Sequence, residues 1–213
     1  MISDYPIAKT ITVSGVEIDI AQGPIGISAS GGADSSLLLY ILLSNHPGPI
    51  HAFTCVSEEK HRGSGAASQR VVQRCIELTG NDNIIHHMWY VKRQDNDQLV
   101  PLQMRYQQLG IYGLRYVGVT ADPPADVSSR FLHPTTETAW RDPLVTRDVH
   151  LGDVYRPFTN IDKREIARLY AELGLLDTLF PVTRSCESTS QGHDHCGTCW
   201  WCEERYWAFG RLV

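Results

Sequence analysis

The sequence predicts an α/β fold built on a parallel sheet, with a small cysteine-rich helical segment at its C-terminal end. Three observations predict it. Short apolar runs of strand length alternate with stretches of helical length between residues 24 and 119. A glycine turn, Ser30-Gly31-Gly32, separates the first of those runs from the helix that follows it. Four of the six cysteines crowd the region from Cys186 to Cys202.

The elements follow in order. TITVSGVEIDI alternates apolar and polar residues around Ser14-Gly15, the pattern of a β-hairpin. PIGISA (24–29) has the length and composition of a buried strand. Ala33–Asn45 has helical length and stops before His46-Pro47-Gly48-Pro49. PIHAFTCV (49–56) reads as a second buried strand, and NIIHHMWYV (83–91) as a third. Between them, Ser64–Gly80 carries Val71, Val72, Cys75, Ile76 and Leu78 at helical spacing, with Gly80 as a C-cap. Leu99–Leu109 reads as a helix and Gly113–Val119 as a fourth strand. Residues 120–153 are rich in Pro, Thr, Asp and Arg without a period, the mark of a long loop with functional content. In TNIDKREIARLYAELG, Asp162 and Glu165 fit a capping box. Ile166, Leu169, Tyr170 and Leu173 make an apolar stripe there, ended by Gly174, and Trp200–Leu212 is the last helix.

Composition narrows the function classes. Hydrophobic residues make up 42% of the 213 residues, too many for a disordered chain. The net charge of −5 argues against a protein that neutralises many nucleic-acid phosphates. The longest apolar stretch, Leu37–Leu43, is far too short to span a membrane, and MISDYPIAKT lacks the pattern of a targeting signal. A cytoplasmic protein is expected. Its cysteines are too unevenly placed for a secreted disulfide scaffold and fit a metal site better.

Two constellations carry chemistry. In ISASGGADSS (27–36), Gly31 and Gly32 leave room for close approach of a ligand and permit a positive φ. Successive N–H groups, with the positive end of the next helix, then suit an anion such as phosphate. Ser30, Ser35 and Ser36 add hydroxyl groups, and Asp34 could cap the helix or help hold a phosphate-bound metal. The plainer alternative is a βα turn with an Asp or Ser cap. The loop is not a Walker A sequence, since no Gly-Lys-Ser/Thr follows, nor a G-x-G-x-x-G fingerprint. The second constellation is Cys186, Cys196, Cys199 and Cys202, spaced C-x9-C-x2-C-x2-C. Four thiolates satisfy a tetrahedral structural Zn²⁺, and an iron–sulfur cluster is the competing occupant. His193 and His195 read as loop residues beside it.

Ser30-Gly31-Gly32-Ala33-Asp34-Ser35 resembles the SGGxDS signature of the PP-loop, or N-type ATP pyrophosphatase, superfamily, with its adenine nucleotide alpha hydrolase-like fold. The resemblance implies that ATP is cleaved between its α- and β-phosphates to activate an oxygen as an adenylate. It implies ATP contacts along Ser28, Ala29, Ser30, Gly31, Gly32, Ala33, Asp34, Ser35 and Ser36, with Mg²⁺ offsetting the phosphate charge. The cysteine text resembles more specifically the 7-cyano-7-deazaguanine synthases. Thr183-Arg184-Ser185-Cys186 precedes Cys196-Gly197-Thr198-Cys199-Trp200-Trp201-Cys202, with Arg205 and Ala208 after it. Pro157, Asp162, Lys163, Glu165 and Ile166 match upstream, as does Tyr116-Val117-Gly118-Val119.

That resemblance implies a ligase that uses ATP to convert 7-carboxy-7-deazaguanine and ammonia, through an adenylate and an amide, to 7-cyano-7-deazaguanine, the queuosine precursor. Asp34, Ser35 and Lys163 are its implied catalytic residues, Lys163 as a phosphate contact. The organisation expected is a PP-loop domain over 1–184 and a zinc-binding segment over 185–213. Members of this family are often dimers, so a homodimer is an expectation. The pattern departs in two places. Ser57-Glu58-Glu59-Lys60-His61-Arg62 stands where Tyr-Gly-Gln-Arg-His is usual, with His61 and Arg62 as its nearest equivalents. Val100-Pro101-Leu102-Gln103-Met104-Arg105 is nearest to a Pro-Gly-Arg-Asn segment, with Arg105 as the substrate candidate, and Asp122 supplies the acidic residue after strand four. A divergent PP-loop enzyme acting on another carboxylate or on a nucleic-acid base, such as a tRNA thiolase, is the alternative. A third reading keeps the fold as an interaction module, against which the intact loop speaks.

Overall fold

The computed structural model describes residues 5–57, 63–91, 96–131, 146–148, 153–186 and 195–213. The chain opens with an antiparallel hairpin, β1 (Ile7–Val13) and β2 (Val16–Ala21). Its two-residue turn has φ +51° at Ser14 and +82° at Gly15. Two positive φ values match the twist of the flanking strands, which is why the Ser-Gly pair marks the hairpin.

A six-stranded sheet follows. Its strands are β3 (Ile25–Ser28), β4 (Ile50–Ser57), β5 (Ile84–Val91), β6 (Arg115–Val117), β7 (Arg147–Asp148) and β8 (Val154–Tyr155), in the order β5-β4-β3-β6-β8-β7. Five are parallel, and the edge strand β7 runs antiparallel to β8. β7 and β8 both lie in the stretch 120–153 or just after it, read from sequence as a loop. Two-residue strands leave no periodicity to detect.

The helices are α1 (Ala33–Asn45), α2 (Ser64–Thr79), α3 (Asn96–Gln108), α4 (Ala125–Ser128), α5 (Lys163–Glu172) and α6 (Trp200–Phe209). None among the described residues is long and apolar enough to cross a membrane. α1 packs on α2 and α5, and α5 on α6. Alternation along each strand sends neighbouring side chains to opposite faces. Thr54 reaches Ser68 of α2, and Tyr116 reaches the hairpin, where its hydroxyl donates to Asp19 O and accepts from Ala21 N. On the other face Phe53 meets Tyr106 of α3, and Ser28 accepts from Gln103 Nε2. α1 is buried almost all round, with Leu37, Leu38, Leu39, Ile41, Leu42 and Leu43 in the core.

Several expectations from the sequence change, α3 among them, which spans Asn96–Gln108 rather than Leu99–Leu109. β6 covers three residues rather than Gly113–Val119, because the chain leaves the sheet at Gly118 to cross the start of α1. A Cβ there would lie 2.8 Å from Asp34 C and Ser35 N. At α5, Asp162 Oδ1 accepts from Arg164 N and Glu165 N, but the Glu165 carboxylate pairs with Arg168 at 2.6 Å. A guanidinium three residues on is a stronger partner than the backbone N–H that a full capping box would use. Gly80 and Gly174 stop their helices as read, each with a positive φ, whereas α6 ends at Phe209 rather than the expected Leu212, because Gly210 takes φ +69° and caps it.

Four histidines lie in or against this core. Burial pushes His46, His51, His86 and His87 below their ordinary value of 6.5, helped at His51 and His86 by the neighbouring His87. The unfolded chain therefore takes up protons that the folded chain resists. Their contribution to stability is complete above about pH 6.5 and is lost as pH falls through the lowered folded values. Thermal unfolding followed by circular dichroism should show Tm falling between about pH 7.5 and about pH 5.5. A Tm that holds or rises over that window would contradict the assignment.

Candidate active site

The glycine loop lies where β3 hands over to α1, at the carboxyl end of the parallel strands. That is the usual ligand-binding side of such sheets. Gly31 has φ +80°, and a Cβ on it would stand 2.7 Å from Ser68 N and 2.9 Å from Ala67 C. Both the backbone conformation and the close approach of α2 demand glycine. Gly32 is the N-cap of α1 in an extended conformation, and no side chain caps the helix. The Asp or Ser cap of a plain βα turn is thus not built here. Ser35 and Ser36 turn their hydroxyls back onto Gly32 O, and Ser30 Oγ pairs with Ser35 Oγ and accepts from Gly32 N. The first-turn N–H groups of Ala33, Asp34 and Ser35 are left pointing out of the helix end, where the dipole favours an anion.

Buried polar contacts hold the loop from below. Ala29 O accepts from Thr54 Oγ1 at 2.6 Å and from Ser68 Oγ at 2.9 Å. His86 Nε2 is within 2.8 Å of Thr54 Oγ1. Tyr170 of α5 donates to Ala33 O, and Arg184 N donates to Gly31 O at 2.8 Å. Arg205 of α6 secures the segment carrying Arg184. Its guanidinium lies over the Phe180 ring and donates to Phe180 O, Ser185 Oγ and Leu212 O. Burial lowers its pKa to about 10, so it stays charged at neutral pH.

Asp34 and Lys163 come together. Lys163 Nζ stands 3.0 Å from Asp34 Oδ2 and 3.0 Å from Glu204 Oε2. The side chains are 4%, 15% and 0% exposed for Lys163, Asp34 and Glu204. Lys163 is therefore neither a solvated first-turn lysine nor isolated. Asp34 Oδ1 is buried without a hydrogen-bond partner among the described residues. An orphaned carboxylate oxygen at the mouth of an anion site fits a cation such as Mg²⁺.

The substrate candidates are less close. Arg105 is exposed on α3, beside a surface depression lined by Pro101, Leu102, Gln108 and Leu109. From the same stretch it is Gln103 that turns inward. Its amide nitrogen donates to Ser28 Oγ, and its oxygen accepts from Arg115 Nη1. Asp122 is half-buried in the segment after β6, where Ala121 N donates to Ile161 O. His61, Arg62 and His193 fall outside the described residues. Gln103, beside Ser28, and Glu204, beside Lys163, are residues near the loop that the sequence reading missed. No local pattern marks them, because their partners lie elsewhere in the chain.

The four cysteine sulfurs of the C-terminal segment all lie within 4.8 Å of one another. Cys196 Sγ and Cys202 Sγ are 3.9 Å apart, and Cys199 Sγ and Cys186 Sγ 4.0 Å. Zn–S bonds of about 2.3 Å in a tetrahedron require roughly 3.8 Å between sulfurs. The group thus fits a single tetrahedral metal ion. Cys199 is the N-cap of α6 and Cys202 stands in its first turn, so the metal group and the helix start are one unit. His195 Nε2 accepts from Ser185 N, the bond of a loop residue.

Residues 133–213 match the family model of the queuosine biosynthesis protein QueC. Residues 18–113 match that of asparagine synthase. Each match covers less than half of the chain; both are to families of the PP-loop type, and the C-terminal part is similar to QueC. The asparagine synthase match covers the glycine loop, and the QueC match covers Lys163, Glu204 and the cysteines. Together the two matches support ATP-using chemistry of the PP-loop kind and a link to queuosine biosynthesis. Among solved structures, that of the NMN synthetase from Francisella tularensis is similar, at 14% identity over 89% of this chain and 78% of that one, with a TM-score of 0.44. No curated protein matches the chain.

Gly31→Ala should destabilise the fold by about 3 kcal/mol, combining a left-handed backbone cost with overlap onto the backbone of α2. Gly23 has φ +70° with open space around it, so Gly23→Ala should cost only about 1 kcal/mol. Thermal unfolding of the two variants checks the difference, and equal losses would contradict it.

Proposed function

We propose that the protein converts 7-carboxy-7-deazaguanine and ammonia to 7-cyano-7-deazaguanine at the expense of ATP. The observation that supports this best is the union of the uncapped helix start behind Gly31 and Gly32 with the Lys163–Asp34 pair. Such a site favours a pyrophosphate leaving group, and the similarity of residues 133–213 to QueC supports a substrate of the 7-deazaguanine class.

The backbone N–H groups of Ala33, Asp34 and Ser35 receive the β- and γ-phosphate oxygens beside the Ser30–Ser35 hydroxyl pair. Lys163 offsets the negative charge that grows on the leaving group. Mg²⁺ held by Asp34 Oδ1 would screen the phosphates. The substrate carboxylate oxygen attacks the α-phosphorus, the bond to the β-phosphate bridging oxygen breaks, and pyrophosphate leaves. Ammonia attacks the acyl carbon, gives up a proton, and AMP leaves with the former carboxylate oxygen. The amide oxygen then attacks a second ATP in the same way. Its nitrogen loses two protons as AMP departs, and the nitrile forms. Asp122 and Arg105 are candidate contacts to the deazaguanine, with Gln103 and Arg115 closer to the strand ends.

The cysteine group takes a structural Zn²⁺ on this reading. Sulfurs near 4 Å apart suit one ion, whereas an iron–sulfur cluster spreads its four thiolates over several irons.

Incubation with ATP, Mg²⁺, ammonium and 7-carboxy-7-deazaguanine, followed by mass spectrometry, should yield the nitrile with AMP and pyrophosphate. Lys163→Met should lower kcat/KM by about 100-fold or more. Metal analysis should find about one zinc per chain. Absence of AMP would overturn the proposed chemistry, and accumulation of amide alone would overturn the second cycle.

A further inference from the structure

The cysteine helix α6 does more than close the metal group. Glu204, two residues after the ligand Cys202, sends a wholly buried carboxylate to Lys163 Nζ at 3.0 Å. From the other side Asp34 Oδ2 meets the same nitrogen at 3.0 Å. Lys163 opens α5, where the helix dipole is unfavourable to a cation. Burying three charges is expensive, and apolar residues of similar volume would serve packing as well or better. Lys163 is the cation set between Glu204 and Asp34, 3.0 Å from each, and a carboxylate has been retained in the core beside it.

We propose that Glu204 is a positioning residue for nucleotide binding: it fixes Lys163, which fixes the Asp34 carboxylate at the mouth of the glycine loop. With Glu204 in place, Lys163 Nζ is held from the protein side and engages Asp34 through Oδ2 only. Oδ1 is left without a hydrogen-bond partner among the described residues, facing a site suited to a phosphate-bound cation. Without Glu204, the ammonium is drawn wholly onto Asp34, and the carboxylate is neutralised where the cation of MgATP would meet it. The chain of contacts also makes the C-terminal metal helix part of the ATP site. This inference rests on the loop being an ATP loop.

The test is titration of the full chain with MgATP by calorimetry, with metal content and Tm measured on each sample. Glu204→Gln removes the charge with little change of shape, Glu204→Leu keeps the core apolar and filled, and Glu204→Asp restores the carboxylate. The Gln and Leu variants should keep their metal and bind MgATP about tenfold more weakly or worse. Glu204→Asp should recover most of that loss. In a Lys163→Met background, Glu204→Gln should cause no further loss of MgATP affinity, since Glu204 reaches the loop through Lys163. Wild-type affinity in the Gln and Leu variants would overturn the proposal while leaving the ATP reading intact. So would loss of binding that tracks loss of metal and Tm, which would make Glu204 a support of α6 alone. Failure of the wild-type protein itself to bind MgATP would overturn the ATP reading and this inference together.

Discussion

The site depends on one buried cation. Lys163 joins the first turn of α1, the first turn of α5 and the body of α6, through Asp34 and Glu204. Those helices come from distant parts of the chain, and a charge that cannot be left unpaired in the core fixes their relative positions. Asp34 is held by its side chain to α5, and Ala33 O is held to Tyr170 of the same helix. The uncapped N–H groups between them are therefore presented in a fixed direction. That is the preorganisation an anion site needs, since donors that must reorient on binding lose much of their worth.

The C-terminal segment braces the same turn by a second route. Arg205 grips the carbonyl of Phe180 and the hydroxyl of Ser185, and between them Arg184 N reaches Gly31 O. Cys199 and Cys202 set where α6 begins, so the metal group determines the register of both Glu204 and Arg205. A tetrahedral ion here would stabilise more than a surface knot, since the helix it anchors carries Glu204 to Lys163.

Much of the fold was legible because its causes are local. Ser14-Gly15 names its own turn, Gly80 and Gly174 end their helices, and the buried strands are short apolar runs bounded by breakers. The glycine loop and the cysteine spacing were legible because geometry demands those residue types at those intervals. What escaped has non-local causes. β7 and β8 are too short for a period, and β6 ends early because Gly118 meets the backbone of Asp34. Glu204 sits in an ordinary helical Glu-Glu pair in sequence, and nothing nearby says that it faces Lys163. Likewise Gln103, rather than Arg105, turns toward Ser28, a choice made by the rotation of α3 on the sheet. Local pattern identifies which residues can do chemistry. The packing of distant helices decides which of them do.

The central claim is that the loop grips pyrophosphate as a leaving group, so that bond formation occurs at the α-phosphorus. Substrate labelled with ¹⁸O in its carboxylate tests this directly, by mass spectrometry of the nucleotide and phosphate products after one turnover. The account predicts one labelled oxygen in AMP and none in pyrophosphate or phosphate. Label in inorganic phosphate, the signature of attack at the γ-phosphorus, would contradict it.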